Sequence, residues 1–301
     1  MIGRMRAMSP VECTAIAAPR GLAYGCVTHV PLLVDYPAFV ESIRLGEAQT
    51  EGGLNLRDLA PEWEPHHPLL GGLAGTFAWK RHVVERCPEA THVGLCQYRK
   101  FVSHRRLGWR SAKSYSSMDL VSPSVLTRSV LDEAMRPPSD WLLSPAFDLS
   151  SWRKSSDYLT QYGRAHQIED LLRFTAEAVE QEVLDKAEAV AFLAEDMLLP
   201  GGIELGVFPA PFWIANVTAL ESVVRVCVRR FPLSHRGYDA RAWAFCSERL
   251  GSYLVLRQLR SLSGFEWRVR AWRAATPKHW SRRFVGRLNL ITSADDYVIG
   301  A

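Results

Sequence analysis

The sequence predicts an α/β protein in which a mixed sheet is flanked by helices and the second half is more helical. Two observations carry this. Short β-prone runs alternate with helical periodicities over the first half of the 301 residues, and long amphipathic segments dominate after about residue 158. A third is the apolar run from Val93 to Cys96, which ends abruptly in Gln97-Tyr98-Arg99-Lys100. A buried strand leaving the core in that way brings cations to the carboxyl edge of a sheet, where open α/β folds bind ligands. The same residues also fit a strand whose exit is merely solvated.

Taken in order, residues 1–20 read as a flexible leader and residues 22–30 as a strand. Residues 37–45 read as a short helix with Pro37 in its first turn, and 52–68, rich in Gly and Pro, as a loop. Residues 69–86 have helical periodicity, with Gly71, Gly72 and Gly75 allowing close packing or approach to a ligand. After the strand at 93–96, residues 101–118 read as a loop. Strands at 118–122 and 140–144 flank a helix at 124–135. Residues 158–199 read as helical with a break at 183–186, stopped by Pro200-Gly201-Gly202. Residues 203–214 read as extended, although Pro209 and Pro211 argue against a regular central strand. Helices follow at 217–230 and 238–259. The expected division is a leader (1–20), one α/β domain (21–262) and a basic, aromatic extension (263–301).

A net charge of +4, from 36 basic and 32 acidic residues, is too mild to imply nucleic acid. The six cysteines have no CxxC spacing, and Cys26, Cys96, Cys227 and Cys246 lie in apolar runs, so buried free thiols are expected rather than a zinc or disulfide framework. No segment reads as a signal peptide or a membrane span, which predicts a cytoplasmic protein. Residues 267–287 interleave Trp267, Trp272 and Trp280 with seven Arg and Lys residues. That mixture suits the inner face of a membrane, a nucleic acid, or plain solvent.

Two more segments carry chemistry. His166 and Asp170 stand four apart in a helical stretch, able to orient an imidazole or to form simple helix support. Arg241 and Glu248 stand seven apart, two turns along one face. They suit a diphosphate clamp with a nearby base, or an ordinary ion pair. There is no HExxH, no Gly-x-Ser-x-Gly, no phosphate-binding loop and no kinase signature.

These segments together resemble a bacterial domain family of unknown function found in glycosyltransferases of capsule and exopolysaccharide gene clusters. Its hallmark, a strand ending in an Ile-Gly-Leu-Cys-His-Tyr-Arg-Arg-Tyr-Phe type sequence, is similar to Val93-Gly94-Leu95-Cys96-Gln97-Tyr98-Arg99-Lys100-Phe101. Val27-Thr28-His29, Phe77-Ala78-Trp79-Lys80, Tyr162 to Leu171 and Arg241 to Leu250 resemble further family elements in the right order. The resemblance covers about residues 22–260. It departs at Gly71-Gly72, at Gln97 where the family has His, and at Pro211-Phe212-Trp213-Ile214 near the expected acceptor side.

The resemblance implies a GT-A-like, Rossmann-like fold. It also implies a hexosyltransferase-like enzyme moving sugar from a nucleoside-diphosphate donor to a glycan or lipid-linked acceptor in surface-polysaccharide biosynthesis. Thr28 and His29 would lie near the nucleotide, with Gln97, Tyr98 and Arg99 at the diphosphate. His166 and Asp170 would shape the sugar site, and Glu248 would be the base with Arg241 beside it. Where many such folds place Asp-x-Asp on a divalent metal, this chain has Gln97-Tyr98-Arg99, so no metal ligand is expected there and Arg99 would neutralise the leaving diphosphate directly, with Mn²⁺ or Mg²⁺ as the alternative. The alternative is a catalytically degenerate protein of the same fold that binds the nucleotide sugar without transferring it.

Overall fold

The computed structural model describes residues 21–48, 52–110, 118–137, 139–151, 156–232, 235–263 and 286–292. β1 (Leu22–Thr28) lies inside the sheet, parallel both to β2 (Val40–Arg44) and, on its other side, to the strand formed by residues 92–97. The helix expected at 37–45 is therefore a strand. β-branched Val40 and Ile43 favour the pleated surface, and Ile43 is fully buried beneath the helix of residues 72–86. β3 (Leu54–Asn55) extends the edge.

The expected loop at 52–68 instead forms short helical turns. These are α1 (Leu56–Leu59), a 3₁₀ turn at Pro61–His66 and α2 (His67–Leu70), held down by buried Leu56 and Trp63. α3 (Gly72–Arg86) then crosses to β4 (His92–Gln97), as expected.

β5 (Lys100–Ser103) folds straight back on β4 with Gln97 opposite Lys100, so the expected loop at 101–118 begins as a hairpin. It continues into β6 (Trp109–Arg110) and β7 (Asp119–Val121), followed by α4 (Arg128–Met135), β8 (Leu142–Leu143) and β9 (Phe147–Asp148). Next come α5 (Tyr158–Ala165), α6 (Ile168–Glu180), α7 (Lys186–Leu193) and β10 (Met197–Leu198), which pairs β9. β11 (Gly206–Pro209) lies antiparallel between β4 and β8, inside the sheet despite its proline. Pro209 is the strand's last residue, and Pro211 falls in the first turn of α8 (Ala210–Arg230), where its missing N–H costs nothing. After a 3₁₀ turn at Gly237–Arg241 comes α9 (Ala242–Ser263).

β12 (Arg287–Ile291) runs between β5 and β7, antiparallel to the first and parallel to the second. The sheet order is β3-β2-β1-β4-β5-β12-β7-β6. A boundary at residue 262 therefore cuts off a sheet strand. Of the expected basic extension, residues 264–285 and 293–301 lie outside the described residues, as does the leader.

Alternation along the strands divides the core. Ala23, Val27, Val93 and Leu95 face the layer of α3, α8 and α9, while Tyr24, Cys26 and Cys96 face Tyr36, Phe39 and α4. α8 is long and apolar enough to cross a bilayer. Here it is a core helix: Trp213, Val217, Leu220 and Val224 are buried, and its buried Glu221 pairs with Lys80 and accepts from Trp63 Nε1 at 2.9 Å. Cys26, Cys96, Cys227 and Cys246 are buried free thiols, as expected. Burial and the neighbouring Cys26 raise the Cys96 thiol well above its ordinary value, which leaves no nucleophile there.

Candidate functional site

The parallel pairing of β1 and β4 sets Val27 beside Gln97, so the carboxyl ends of both strands open on one side. A cavity of about 540 Å³ lies there, walled by His29, His67, Tyr98, Arg99, Lys100 and Arg241. A smaller cavity of about 170 Å³ adjoins it, reaching Glu204, Phe245 and Glu248. Gly72, Gln97, Lys100, Tyr238 and Arg241 line both, so the two form one cleft with a neck.

Glycines make that neck possible. Gly71 has φ +56°, and a Cβ on it would meet an Arg241 guanidinium nitrogen at 2.3 Å. A Cβ on Gly72 would lie 2.7 Å from Gln97 Nε2 and 3.2 Å from Glu204 Oε2. The sequence reading left open whether these glycines serve packing or a ligand; they make room for the cleft's own polar side chains.

The residues singled out from sequence fare differently. His29 is exposed and meets the Tyr98 ring edge-on at 4.9 Å. Partial burial, then Arg241 and His67, lower its pKa, which favours the neutral imidazole. Gln97, Tyr98, Arg99 and Arg241 all line the larger cavity, and Glu248 lines the smaller. Arg99 Nε donates to the Ile291 carbonyl at 3.4 Å, so β12 holds part of its guanidinium. Thr28 is fully buried and lines neither cavity. Its hydroxyl donates to the Val30 carbonyl and accepts the Val30 N–H, closing the turn that carries His29.

His166 and Asp170 do not share a helical face. α5 ends at Ala165, His166 is extended at φ −146° and ψ −177°, and α6 begins at Ile168. Each turns instead to the segment after α8. His166 Nδ1 lies 3.2 Å from Asp239 with its ring stacked on Phe245 at 4.4 Å, and Asp170 lies 2.7 Å from His235. Burial outweighs Asp239 and lowers the His166 pKa. Neither residue lines the cleft. Both brace the 235–241 segment, which presents Tyr238 and Arg241 to it.

Glu204 was missed from sequence. Gly202, at φ +52°, sits so close to α9 that a Cβ would meet the Glu248 carbonyl at 2.8 Å, and this lays the 3₁₀ turn Gly202–Glu204 against that helix. Trp213 Nε1 pins the turn by donating to the Ile203 carbonyl at 2.9 Å, so Trp213, expected near an acceptor, is a buried brace. Glu204 is 8% exposed and has no hydrogen bond or ion pair to any described side chain. Burial first, and then Glu248, push its carboxyl from 4.5 up to about 8 against the pull of Arg241 and Lys100.

Its neighbours are equally underused. Among the described residues, Lys100 and Arg241 have no carboxylate partner, and Arg241 Nε is buried without an acceptor. Glu248 accepts the Gly201 N–H on Oε1 at 2.7 Å. Buried polar groups are normally paired. A set left unpaired around a cavity is built for something that enters it. The sequence signal was an acidic residue inside the apolar run Ile203 to Phe208. The Glu41, His82 and Cys87 group, whose ligand atoms lie within 4.8 Å, sits away from the cleft, with Glu41 at the start of β2.

No family model matches the chain, and no curated protein matches its sequence. A solved structure, the apo form of the WbbM bifunctional glycosyltransferase, matches with a TM-score of 0.67 at 12% identity. The match covers 91% of this chain and 46% of that one, so the chain spans less than half of WbbM. At such identity the likeness speaks for the fold. The chain thus has the GT-A-like mixed α/β sheet and helical second half expected from its sequence.

Proposed function

We propose that the protein is a glycosyltransferase that moves a sugar from a nucleoside-diphosphate donor to a glycan or lipid-linked acceptor, in surface-polysaccharide assembly. The observation that carries this reading is the pair of unmatched cations, Lys100 and Arg241, beside Arg99 at the carboxyl ends of β1 and β4. Guanidinium and ammonium groups held there in a partly enclosed cleft suit a diphosphate. His29 and Tyr98 offer ring faces and edges to the nucleoside end of the larger cavity.

In such a transfer the bond from the anomeric carbon to the diphosphate oxygen breaks, and the diphosphate leaves with the electron pair. Arg99, Lys100 and Arg241 stabilise that charge in place. The acceptor oxygen bonds the anomeric carbon and gives up its proton, with the Glu248 side chain at the smaller cavity as the base in this reading. With three cations at the diphosphate, a divalent metal is not required. A cytoplasmic enzyme touching the membrane through residues 267–287 completes the proposal.

A binding protein without transferase activity is the second reading. One observation favours it: Glu248, the expected base, already spends one oxygen on Gly201 N–H.

The test is a thermal-shift screen of nucleoside diphosphates and nucleotide sugars with and without Mn²⁺, followed by a radiolabelled transfer assay. A ligand at 100 times its Kd stabilises the folded chain by about 3 kcal/mol, an easily read shift. Arg99→Ala is expected to cut turnover at least ~10-fold, the scale of one lost charged contact, with little change in melting point. Near-normal transfer by that variant removes Arg99 from the mechanism, and binding without transfer to a broad acceptor panel selects the second reading.

A further inference from the structure

The smaller cavity has a composition of its own. Its floor carries two carboxylates, Glu204 and Glu248, and the Gln97 amide, while Tyr238 and Phe245, with ring centres 4.7 Å apart, form an aromatic side. At about 170 Å³ it is below the usual size of a whole small-molecule site, which makes it a subsite of the larger cleft. Hydrogen-bonding groups opposite aromatic rings suit a ligand with hydroxyls on its edge and C–H groups on its face.

Building on the nucleotide-sugar reading above, we propose that Glu204 works there as a neutral carboxylic acid. Its O–H donates to an oxygen of the bound sugar, while Glu248 accepts from a sugar hydroxyl. The geometry gives the reason. Glu204 arises from the Gly202–Glu204 turn packed on α9, reaches the cavity with no described partner, and has Glu248 from α9 as its acidic neighbour. The charged groups that face it are Glu248, Arg241 from the Gly237–Arg241 turn and Lys100 from β5; Gln97 and Tyr238 are uncharged.

An ionised carboxylate as buried as Glu204 is costly beside a second acidic side chain, so Glu204 holds a proton. Burial already pushes the Glu204 carboxyl up to about 8. A diphosphate in the larger cavity would engage Arg241 and Lys100, the two groups that favour ionisation, and so hold the proton more firmly. Those same cations disfavour a metal ion between the carboxylates.

The experiment is calorimetric titration of UDP, GDP and dTDP and of their glucose conjugates, from pH 6.5 to 9.5. It uses wild type, Glu204→Gln and Glu204→Ala, each checked for folding by circular dichroism. The readout is the gain in affinity of a conjugate over its own nucleotide. In wild type a gain is expected at pH 7 that falls at least twofold by pH 9.5 as Glu204 ionises, the fall coming at higher pH the more firmly the bound diphosphate holds the proton. Glu204→Gln, whose amide still donates and accepts, is expected to keep the gain without pH dependence, and Glu204→Ala to lose it.

Loss of the gain in Glu204→Gln, a wild-type gain unchanged to pH 9.5, or a Mn²⁺ requirement abolished by Glu204→Gln each overturns the proposal. Nucleotides that bind without any gain from the sugar overturn it while leaving the diphosphate site standing. Failure of every nucleotide to bind overturns both.

Discussion

Replacing Glu204 by Gln tests the state of that carboxyl through folding alone, without any ligand. A carboxyl raised from 4.5 to about 8 on folding holds its proton more tightly in the native chain than in the unfolded one. The native state then binds more protons than the unfolded state between those two values, so stability falls as pH rises through that window. Each unit is worth about 1.4 kcal/mol. From 4.5 to neutral pH the loss is about 3 kcal/mol, approaching about 5 kcal/mol above pH 8. At 8% exposure, solvent does little to screen the effect.

Gln has the same shape and does not titrate. The variant is therefore expected to match wild type near pH 4 and to gain about 3 kcal/mol on it at pH 7, roughly 5 °C in melting point for a chain of this length. Urea and thermal unfolding of both proteins from pH 4 to 9 measure the difference. A difference that stays flat across that range would refute the argument, because it would mean that Glu204 titrates normally in the folded chain. A residue that costs the fold this much is what a functional site commonly contains.

Arg241→Met should leave stability nearly unchanged, since Arg241 has no ion pair among the described residues, yet weaken nucleoside-diphosphate binding by at least ~10-fold in titration calorimetry. Gly72→Ala would place a methyl group 2.7 Å from Gln97 Nε2 and 3.2 Å from Glu204 Oε2. It should lower nucleotide-sugar affinity about tenfold while the melting point holds or rises, alanine being the better helix former. Gly94→Ala would drive a Cβ to 2.1 Å from the Tyr24 ring across the centre of the sheet. About 3 kcal/mol of destabilisation is expected from denaturant unfolding, with ligand affinity of the folded fraction retained.

Segments whose pattern repeats over many residues were readable. The helix at 72–86, the later part of 210–230 and the helix from 242 on repeat an apolar face, and residues 93–96 form an apolar run inside the strand at 92–97, so local spacing alone identifies them. Residues 40–44, 206–209 and 287–291 are different. Each is short, and each is a strand because a particular distant edge was available: β1 for the first, β4 for the second, β5 and β7 for the third. Pairing with a strand 16 or more residues away leaves little trace in five consecutive letters.

The site divides in the same way. Sequence alone determined that Gln97, Tyr98 and Arg99 would follow a buried strand and that Arg241 and Glu248 would share a helical neighbourhood, because both follow from chain connectivity. Only the tertiary structure decided that Asp170 and His166 brace the 235–241 segment, since the two-residue break between α5 and α6 rotates them onto different partners. Only it brought Glu204 to Glu248, since a carboxyl's environment depends on what packs around it and not on its neighbours in the chain.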